Sequence, residues 1–230
     1  MKASEDHWMS ISDLMSGLMI IFMLIAIAFM IQVQHQQKYM DSIIQDYAAI
    51  KLNLYNDLYE EFKDDLPKWN AELDKQTLSM RFQEPDILFN TGSASLNPKF
   101  QQILNDFLPR YINILTSQQY KENIQEIRIE GHTSSEWYGQ KGINAYFKNM
   151  ELSQARTRSV LEYAICMPYL QSQQEWLISK ITANGLSSSQ PIMINGLEDA
   201  KRSRRVEFRI RTNADEKMQL LEGMSNDDTR

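Results

Sequence analysis

The sequence predicts a single N-terminal transmembrane helix followed by an α+β domain, in which helices pack on one face of a mixed sheet. The first part rests on a stretch of 24 residues, Leu14 to Gln37, that contains no Lys, Arg, Asp or Glu. Within it, Leu18–Ile31 is entirely apolar. The second part rests on short alternating segments that are interspersed with helically spaced segments from about Thr77 onward, a pattern typical of a sheet covered by helices.

The apolar run is long enough to cross a bilayer, because twenty helical residues at about 1.5 Å each cover about 30 Å. A cleaved signal peptide or a buried core helix would be the alternatives. A signal peptide has a basic start and a small-residue cleavage site, whereas here Lys2 is followed by acidic residues and no such site follows Ile31. We therefore expect a tail at 1–12 and an uncleaved membrane helix at 13–33. Lys2 and Lys38 flank the helix and leave its orientation open.

Composition excludes several classes of function. The net charge of −6 argues against a generally basic nucleic-acid binder. The single cysteine, Cys166, excludes an intramolecular disulfide framework and a cysteine-based zinc site. The sequence shows no nucleophile–base pair, paired acids or phosphate loop, so we predict no enzymatic activity, no cofactor and no metal. His132 is interpreted as a structural loop residue, and the basic segment Lys201–Arg211 as a solvated strand face rather than a nucleic-acid surface.

A helical stripe follows the apolar run. Its apolar residues recur at spacings of 4, 3, 4, 4 and 4: Ile43, Tyr47, Ile50, Leu54, Leu58 and Phe62. Pro67 marks the expected helix end. We interpret 34–76 as a helical stalk. It is either a short coiled coil that pairs two copies of the chain or an amphipathic helix that lies on its own domain.

The remaining sequence predicts a domain at 77–212 and a polar, loosely ordered tail at 213–230. Its alternating segments predict strands at Leu78–Phe82, Ile87–Phe89, Glu126–Glu130, Leu177–Ala183 and Arg205–Arg211. Its helical spacing predicts helices at Lys99–Leu115 and Asn149–Ile165.

Asp13 is the charged residue at the start of the apolar run. On a helix, Ser16 and Gly17 lie on its face at i+3 and i+4, and such small residues allow another helix to approach closely. The carboxylate could be a helix cap or interfacial residue favoured by the helix dipole. It could instead carry protons or ions within the membrane. Position alone does not separate the two.

Four motifs of the C-terminal region, in order, resemble an OmpA-like peptidoglycan-binding domain across about Leu78–Arg211. They are Ile87–Phe89 with Gly92–Leu96, then Ile129–Thr133, then Asn149–Val160, and finally Gly185 with Ser203–Glu207. The resemblance implies that the domain binds a peptidoglycan stem peptide that contains diaminopimelate, through Thr133, Ser134, Asn149, Leu152 and Arg156.

The residue chemistry supports that site in part. Asn149, Leu152 and Arg156 share one helical stripe, and a guanidinium can bind a ligand carboxylate through two hydrogen bonds. The alternatives are a surface ion pair of Arg156 with Glu151 or Glu162, and an ordinary core role for Leu152. Where the family usually has Asp, this chain has Ser134, and Glu130 or Glu136 are the candidates to supply the missing charge.

The N-terminal segment Trp8–Met15, which contains Ser10 and Asp13 ahead of the apolar run, resembles the start of the B subunit of MotB-type stators. That resemblance implies that Asp13 carries H⁺ or Na⁺. It also implies a homodimer threaded through a ring of multi-span MotA-like A subunits. The chain would lie in the bacterial inner membrane, with a cytoplasmic N-terminus and a periplasmic C-terminal domain.

Among stator-like families, the short N-terminal tail and the segment Gly131–Trp137 look most similar to the B subunit of Zorya anti-phage defence systems. Two alternatives stay open: a flagellar-type MotB subunit, and a purely structural anchor between membrane and peptidoglycan without ion flux. A direct contact with nucleic acid is not expected.

Overall fold

The computed structural model describes residues 2–83, 88–90 and 92–213. The chain divides into two compact units, Met1–Ala48 and Ala49–Arg230. Helix α1 begins in the first unit and spans Lys2–Phe62. The predicted tail at 213–230 lies outside the described residues apart from Asn213.

The first unit consists of the N-terminal part of α1. Its apolar side chains from Leu14 to Ile31 are exposed, among them Met19 at 76% and Phe29 at 67%. The helix is long and apolar enough to cross a membrane, with a mean hydropathy of 2.8 over its most apolar window. An exposed apolar surface of this extent needs lipid or another helix to cover it.

The second unit is built on a five-stranded sheet with the strand order β1-β2-β7-β3-β4. Neighbouring strands run antiparallel except for the parallel pair β3–β4. The sheet strands are β1 (Ala71–Asp74), β2 (Ser79–Gln83), β3 (Ile124–His132), β4 (Ile181–Ser187) and β7 (Arg205–Thr212). Parallel strands need a long crossover, which here contains helix α3 (Ile143–Ile165).

The other elements connect and cover this sheet. They are α2 (Pro98–Leu115), the 3₁₀ turns Lys121–Asn123 and Pro168–Gln173, α4 (Gln174–Lys180), the hairpin of β5 (Met193–Ile194) and β6 (Leu197–Glu198), and α5 (Ala200–Ser203). The side chain of Asn97 caps α2 by accepting from the Lys99 amide. Phe107 of α2 is fully buried and packs at 5.2 Å between ring centroids against both Phe82 and Phe208 of the sheet.

Most predicted elements are confirmed. Strands occupy three of the predicted segments, at β2, β3 and β7, and both predicted helices form, with α3 beginning six residues before Asn149. The prediction of a strand at Leu177–Ala183 is wrong in its first half, because α4 runs to Lys180 and buries Leu177 on one face while Ile178 stays exposed. Ile87 lies outside the described residues, and Phe89 forms an isolated antiparallel bridge with Leu96.

The second half of the predicted stalk belongs to the domain. Leu54, Leu58 and Phe62 of α1 are fully buried in the domain core, as an amphipathic helix on its own domain requires. Arg110 of α2 holds this end of α1, because its Nε donates to Glu61 Oε1 at 2.7 Å and its guanidinium lies 4.8 Å from the Phe62 ring centroid. The compact unit therefore begins at Ala49 rather than at residue 77.

Candidate binding site

A cavity of about 240 Å³ lies where the loop after β3 faces α3. This cavity is lined by all five residues that were predicted to bind peptidoglycan: Thr133, Ser134, Asn149, Leu152 and Arg156. The rest of the cavity lining consists of Gly92, Glu136, Trp137, Tyr138 and Arg204. The structure thus brings together residues that lie up to 112 positions apart in the sequence, from Gly92 to Arg204.

Two glycines set the position of this site by letting α3 lie close against the sheet. A Cβ atom at Gly185 of β4 would stand 2.4 Å from the backbone nitrogen of Gln154, and one at Gly131 of β3 would stand 3.0 Å from the Ser153 carbonyl oxygen. Any larger residue would therefore push the helix away. This close packing brings the helical stripe with Asn149 and Arg156 to the loop.

Asn149 organises the loop that forms one side of the cavity. Its buried amide nitrogen donates to the carbonyl oxygens of Ser134 at 3.0 Å and Glu136 at 3.2 Å. On the other side of the loop, the Thr133 amide donates to the Ser187 carbonyl at 2.9 Å. The hydroxyl of Thr133 is buried and has no hydrogen-bond partner among the described residues. It is therefore free to bond to a ligand in the cavity.

Arg156 is the buried cation of the site, with 9% of its surface exposed. Its Nε donates to the Ser93 carbonyl at 3.0 Å, and its guanidinium lies 4.8 Å from the Phe89 ring centroid. The glutamates considered as alternative partners pair elsewhere, Glu151 with Lys148 at 3.3 Å and Glu162 with Arg158 at 2.8 Å. Leu152 is half-buried and contributes an apolar surface to the cavity.

The charges around the cavity differ from those that sequence reasoning assigned. Arg204, which was grouped with a solvated strand face, lines the cavity together with Arg156. Its position directly before Arg205 in the final motif was the signal that could have identified it. Glu136 lines the cavity and pairs with Lys141 at 2.9 Å, whereas Glu130 is buried within the sheet. Of the two glutamates considered, Glu136 is therefore the one that lines the cavity.

A buried ionic network lies in the sheet behind the site. Glu207 accepts from Arg205 Nε at 2.5 Å, from Arg81 Nε at 3.0 Å and from Ser79 Oγ at 2.5 Å. Burial alone would raise the pKa of Glu207, but the hydrogen bond from Ser79 and the charges of the two arginines outweigh it and lower that pKa. The network fixes the start of β7, immediately after Arg204.

His132 faces this network from the end of β3, so it lies in a strand and not in a loop as predicted. Its Nε2 lies 3.7 Å from Glu130 and 3.9 Å from Glu207, and neither ring nitrogen has a hydrogen-bond partner in the described part of the chain. These three residues place possible metal ligands within 4.8 Å of one another. The positive charges of Arg205 and Arg81, which already hold the Glu207 carboxylate, would repel a metal cation at this position.

The fold and the cavity define a class: an OmpA-family domain joined to an apolar N-terminal helix. The model of the OmpA family matches residues 88–205. Over a longer range, the chain is 49% identical to the Zorya protein ZorB of Escherichia coli, across 92% of this chain and 90% of that protein. The chain therefore belongs to the OmpA family and, within it, to the family of ZorB.

Similar solved structures include two proteins of bacterial origin. A protein from Desulfovibrio vulgaris described as MotB-like has a TM-score of 0.50 and 25% identity, covering 75% of this chain and 94% of its own. The cell wall anchor of the type VI secretion system from Pseudomonas aeruginosa has a TM-score of 0.46 and 22% identity, covering 67% of this chain and 96% of its own. The MotB-like, OmpA-type architecture predicted from the sequence is confirmed.

Proposed function

We propose that this chain is the B subunit of an ion-driven rotary motor of the MotA/MotB type in the bacterial inner membrane. Asp13 would carry H⁺ or Na⁺, and the OmpA-family domain would hold the chain to peptidoglycan. The observation that carries the proposal is the joining, in one ZorB-family chain, of an exposed apolar helix that contains Asp13 to a domain with a cationic cavity at Arg156.

The membrane part of the proposal follows from charge. Asp13 lies in α1 directly before the apolar run, and no Lys or Arg occurs at positions 14–33 to pair with it. A permanently ionised carboxylate in apolar surroundings would cost several kcal/mol. Protonation, a bound cation or a partner's polar groups must therefore compensate. A membrane field supplies about 2.3 kcal/mol per charge per 100 mV, enough to drive a conformational step.

The proposed partners are those that the resemblance to MotB-type stators implies. Two copies of the chain would thread a ring of MotA-like A subunits, which would cover the exposed apolar surface of α1 and contact Asp13. With the N-terminus cytoplasmic, the C-terminal domain would be periplasmic, where peptidoglycan lies. The ring could then turn against an axle that is fixed to the wall. In a Zorya system this rotation would serve defence against phage.

The wall part of the proposal follows from the cavity. Diaminopimelate carries a carboxylate and an amine on the same carbon. The guanidinium of Arg156, with that of Arg204 nearby, suits the carboxylate. The amine would meet the Glu136 carboxylate, and the Thr133 hydroxyl would supply a further hydrogen bond. Ser134 would line the site without a charge.

The wall part is tested with Arg156→Ala in the full-length chain, by measuring how much protein sediments with purified peptidoglycan. Removing one partner of a charge-assisted pair costs about 1.5–3 kcal/mol, so affinity should fall about 10- to 150-fold. The matched control is Arg158→Ala, two residues along the same helix, where the side chain is 78% exposed. Equal sedimentation of Arg156→Ala and Arg158→Ala would contradict the assigned site.

Two alternatives use the same fold: a purely structural anchor, and a flagellar-type stator. Asp13→Asn separates the anchor from the motor, because the amide keeps the shape of the side chain but cannot titrate. The motor predicts that this variant inserts and sediments normally yet fails to protect cells against phage. Full protection by Asp13→Asn would favour the anchor. If the wild-type system gave no protection against phage but supported motility, the flagellar alternative would be favoured.

A further inference from the structure

A second groove, of about 390 Å³, lies beside the Arg156 cavity and shares two wall residues with it, Trp137 and Tyr138. The rest of the groove is lined by Gln140, Asn144, Phe147, Lys148 and Glu151. We propose that this groove binds the sugar rings of the peptidoglycan strand that carries the stem peptide. The inference rests on the proposed wall-binding function and extends it from the peptide to the glycan.

The groove is aromatic and open. Tyr138 is 78% exposed and Phe147 is 61% exposed, while Trp137 is half-buried and packs edge-on against Tyr138 at 5.3 Å between ring centroids. Neither Tyr138 nor Phe147 belongs to the buried core of the domain. Exposed aromatic surface rimmed by polar side chains is typical of a binding site.

The backbone holds Tyr138 in place in a conformation that aromatic residues seldom adopt. Trp137 and Gln140 exchange two backbone hydrogen bonds of 2.9 Å. The two residues between them, Tyr138 and Gly139, have φ values of 47° and 78°, as in the tight hairpin turns that favour Asn, Asp or Gly. Strain of this kind is kept where function requires a particular side chain.

Tyr138 also joins the two sites. A Cβ atom at Gly92 would stand 2.8 Å from the Tyr138 hydroxyl, so the ring extends as far as the opposite rim of the Arg156 cavity. One face of the ring can therefore contact a peptide in the cavity while the groove continues on the other side. A ligand that fills both sites must be continuous past this residue.

Peptidoglycan has that continuity. Two residues of the stem peptide separate diaminopimelate from the amino sugar, so the sugar lies within about 15 Å of a bound diaminopimelate. The C–H face of a pyranose ring packs against aromatic rings such as Phe147. Its hydroxyl and N-acetyl groups bond to side-chain amides such as Gln140 and Asn144. The composition of the groove matches this chemistry.

The test uses the full-length chain and two probes, measured by titration calorimetry. One probe is a disaccharide-tetrapeptide that contains diaminopimelate, and the other is the same tetrapeptide without sugars. Phe147→Ala is the informative variant, because Phe147 lines the groove and not the Arg156 cavity. Tyr169→Ala is the control, since Tyr169 is 77% exposed but lines neither site.

The wild-type chain should bind the disaccharide-tetrapeptide more tightly than the bare tetrapeptide. Phe147→Ala should weaken the disaccharide-tetrapeptide about tenfold, as expected for losing ~50 Å² of apolar contact, and leave the tetrapeptide unchanged. An unchanged disaccharide-tetrapeptide affinity, or an equal loss for both probes, would overturn the glycan groove and leave the wall function standing. A wild-type chain that binds neither probe would overturn both.

Discussion

Replacing Glu207 by Gln should strongly destabilise the domain while leaving its shape almost unchanged. Glu207 is 3% exposed and is the carboxylate that Arg205 and Arg81 share. Arg205 is itself only 6% exposed, so the amide leaves a buried guanidinium without its counter-charge. Breaking a buried pair from one side costs about 3–5 kcal/mol.

The assay is thermal unfolding of the full-length chain in detergent, followed by circular dichroism. For a unit of this size, about 2–4 °C of melting temperature is lost per kcal/mol, so Glu207→Gln should lower it by about 6–20 °C. The matched control is Glu162→Gln, which removes an exposed ion pair with Arg158 and should change stability by less than about 1 kcal/mol. Equal melting of the two variants would refute the reasoning.

The same residue gives the domain a pH dependence. Because the folded-state pKa of Glu207 is below its ordinary value of 4.5, its stabilisation is fully present above that pH. It is lost as the pH falls through the folded-state pKa. Glu130 and His132 also face this carboxylate. The part of the stability loss at acid pH that belongs to Glu207 is therefore identified by comparing the wild type with Glu207→Gln. The variant should lose less stability than the wild type on acidification below about pH 4.5.

Two further substitutions test the packing that positions the site. Leu58→Ala should destabilise the domain by about 2–5 kcal/mol, because Leu58 is fully buried in its core. The control is Leu52→Ala, at a position 43% exposed on the same helix, which should melt like the wild type. Equal melting of the two variants would place α1 outside the domain. Gly185→Ala should destabilise the domain by about 1–3 kcal/mol and weaken its sedimentation with peptidoglycan, since the added Cβ would meet the Gln154 backbone. Unchanged stability and unchanged sedimentation would show that α3 can move without loss.

The predictions that were confirmed rest on local pattern. Helix α2 presents an apolar face at helical spacing, with Phe100, Leu104 and Phe107 all fully buried. Polar and apolar residues alternate in the sequence of β7, although the structure also buries the polar Arg205 and Glu207. The five residues named from the motif order line one cavity, since motifs of a family keep their places in the fold, while their binding of peptidoglycan stays a prediction. Local pattern and resemblance together were therefore enough to predict the class of fold.

What was missed depends on contacts between distant segments. The four-residue strand β1 has no strong pattern of its own and exists through pairing with β2. The end of α1 is part of the domain because the core offers a surface for Leu58 and Phe62. Spacing alone cannot distinguish such a surface from a coiled-coil partner. Arg204 likewise lines the cavity because the fold brings it next to Asn149 and Arg156. The turn at Tyr138 is local, but its positive φ is unusual for an aromatic residue, so the sequence does not signal it.

In the motor that we propose, Asp13 carries ions through the complex with the A subunits. The most direct measurement is the ion flux of proteoliposomes that contain the purified complex under an imposed membrane potential, with wild type, Asp13→Glu and Asp13→Asn compared. We expect flux in the wild type, reduced flux in Asp13→Glu, which can still titrate, and none in Asp13→Asn. Equal flux in Asp13→Asn and wild type would reduce Asp13 to a helix cap and contradict the motor.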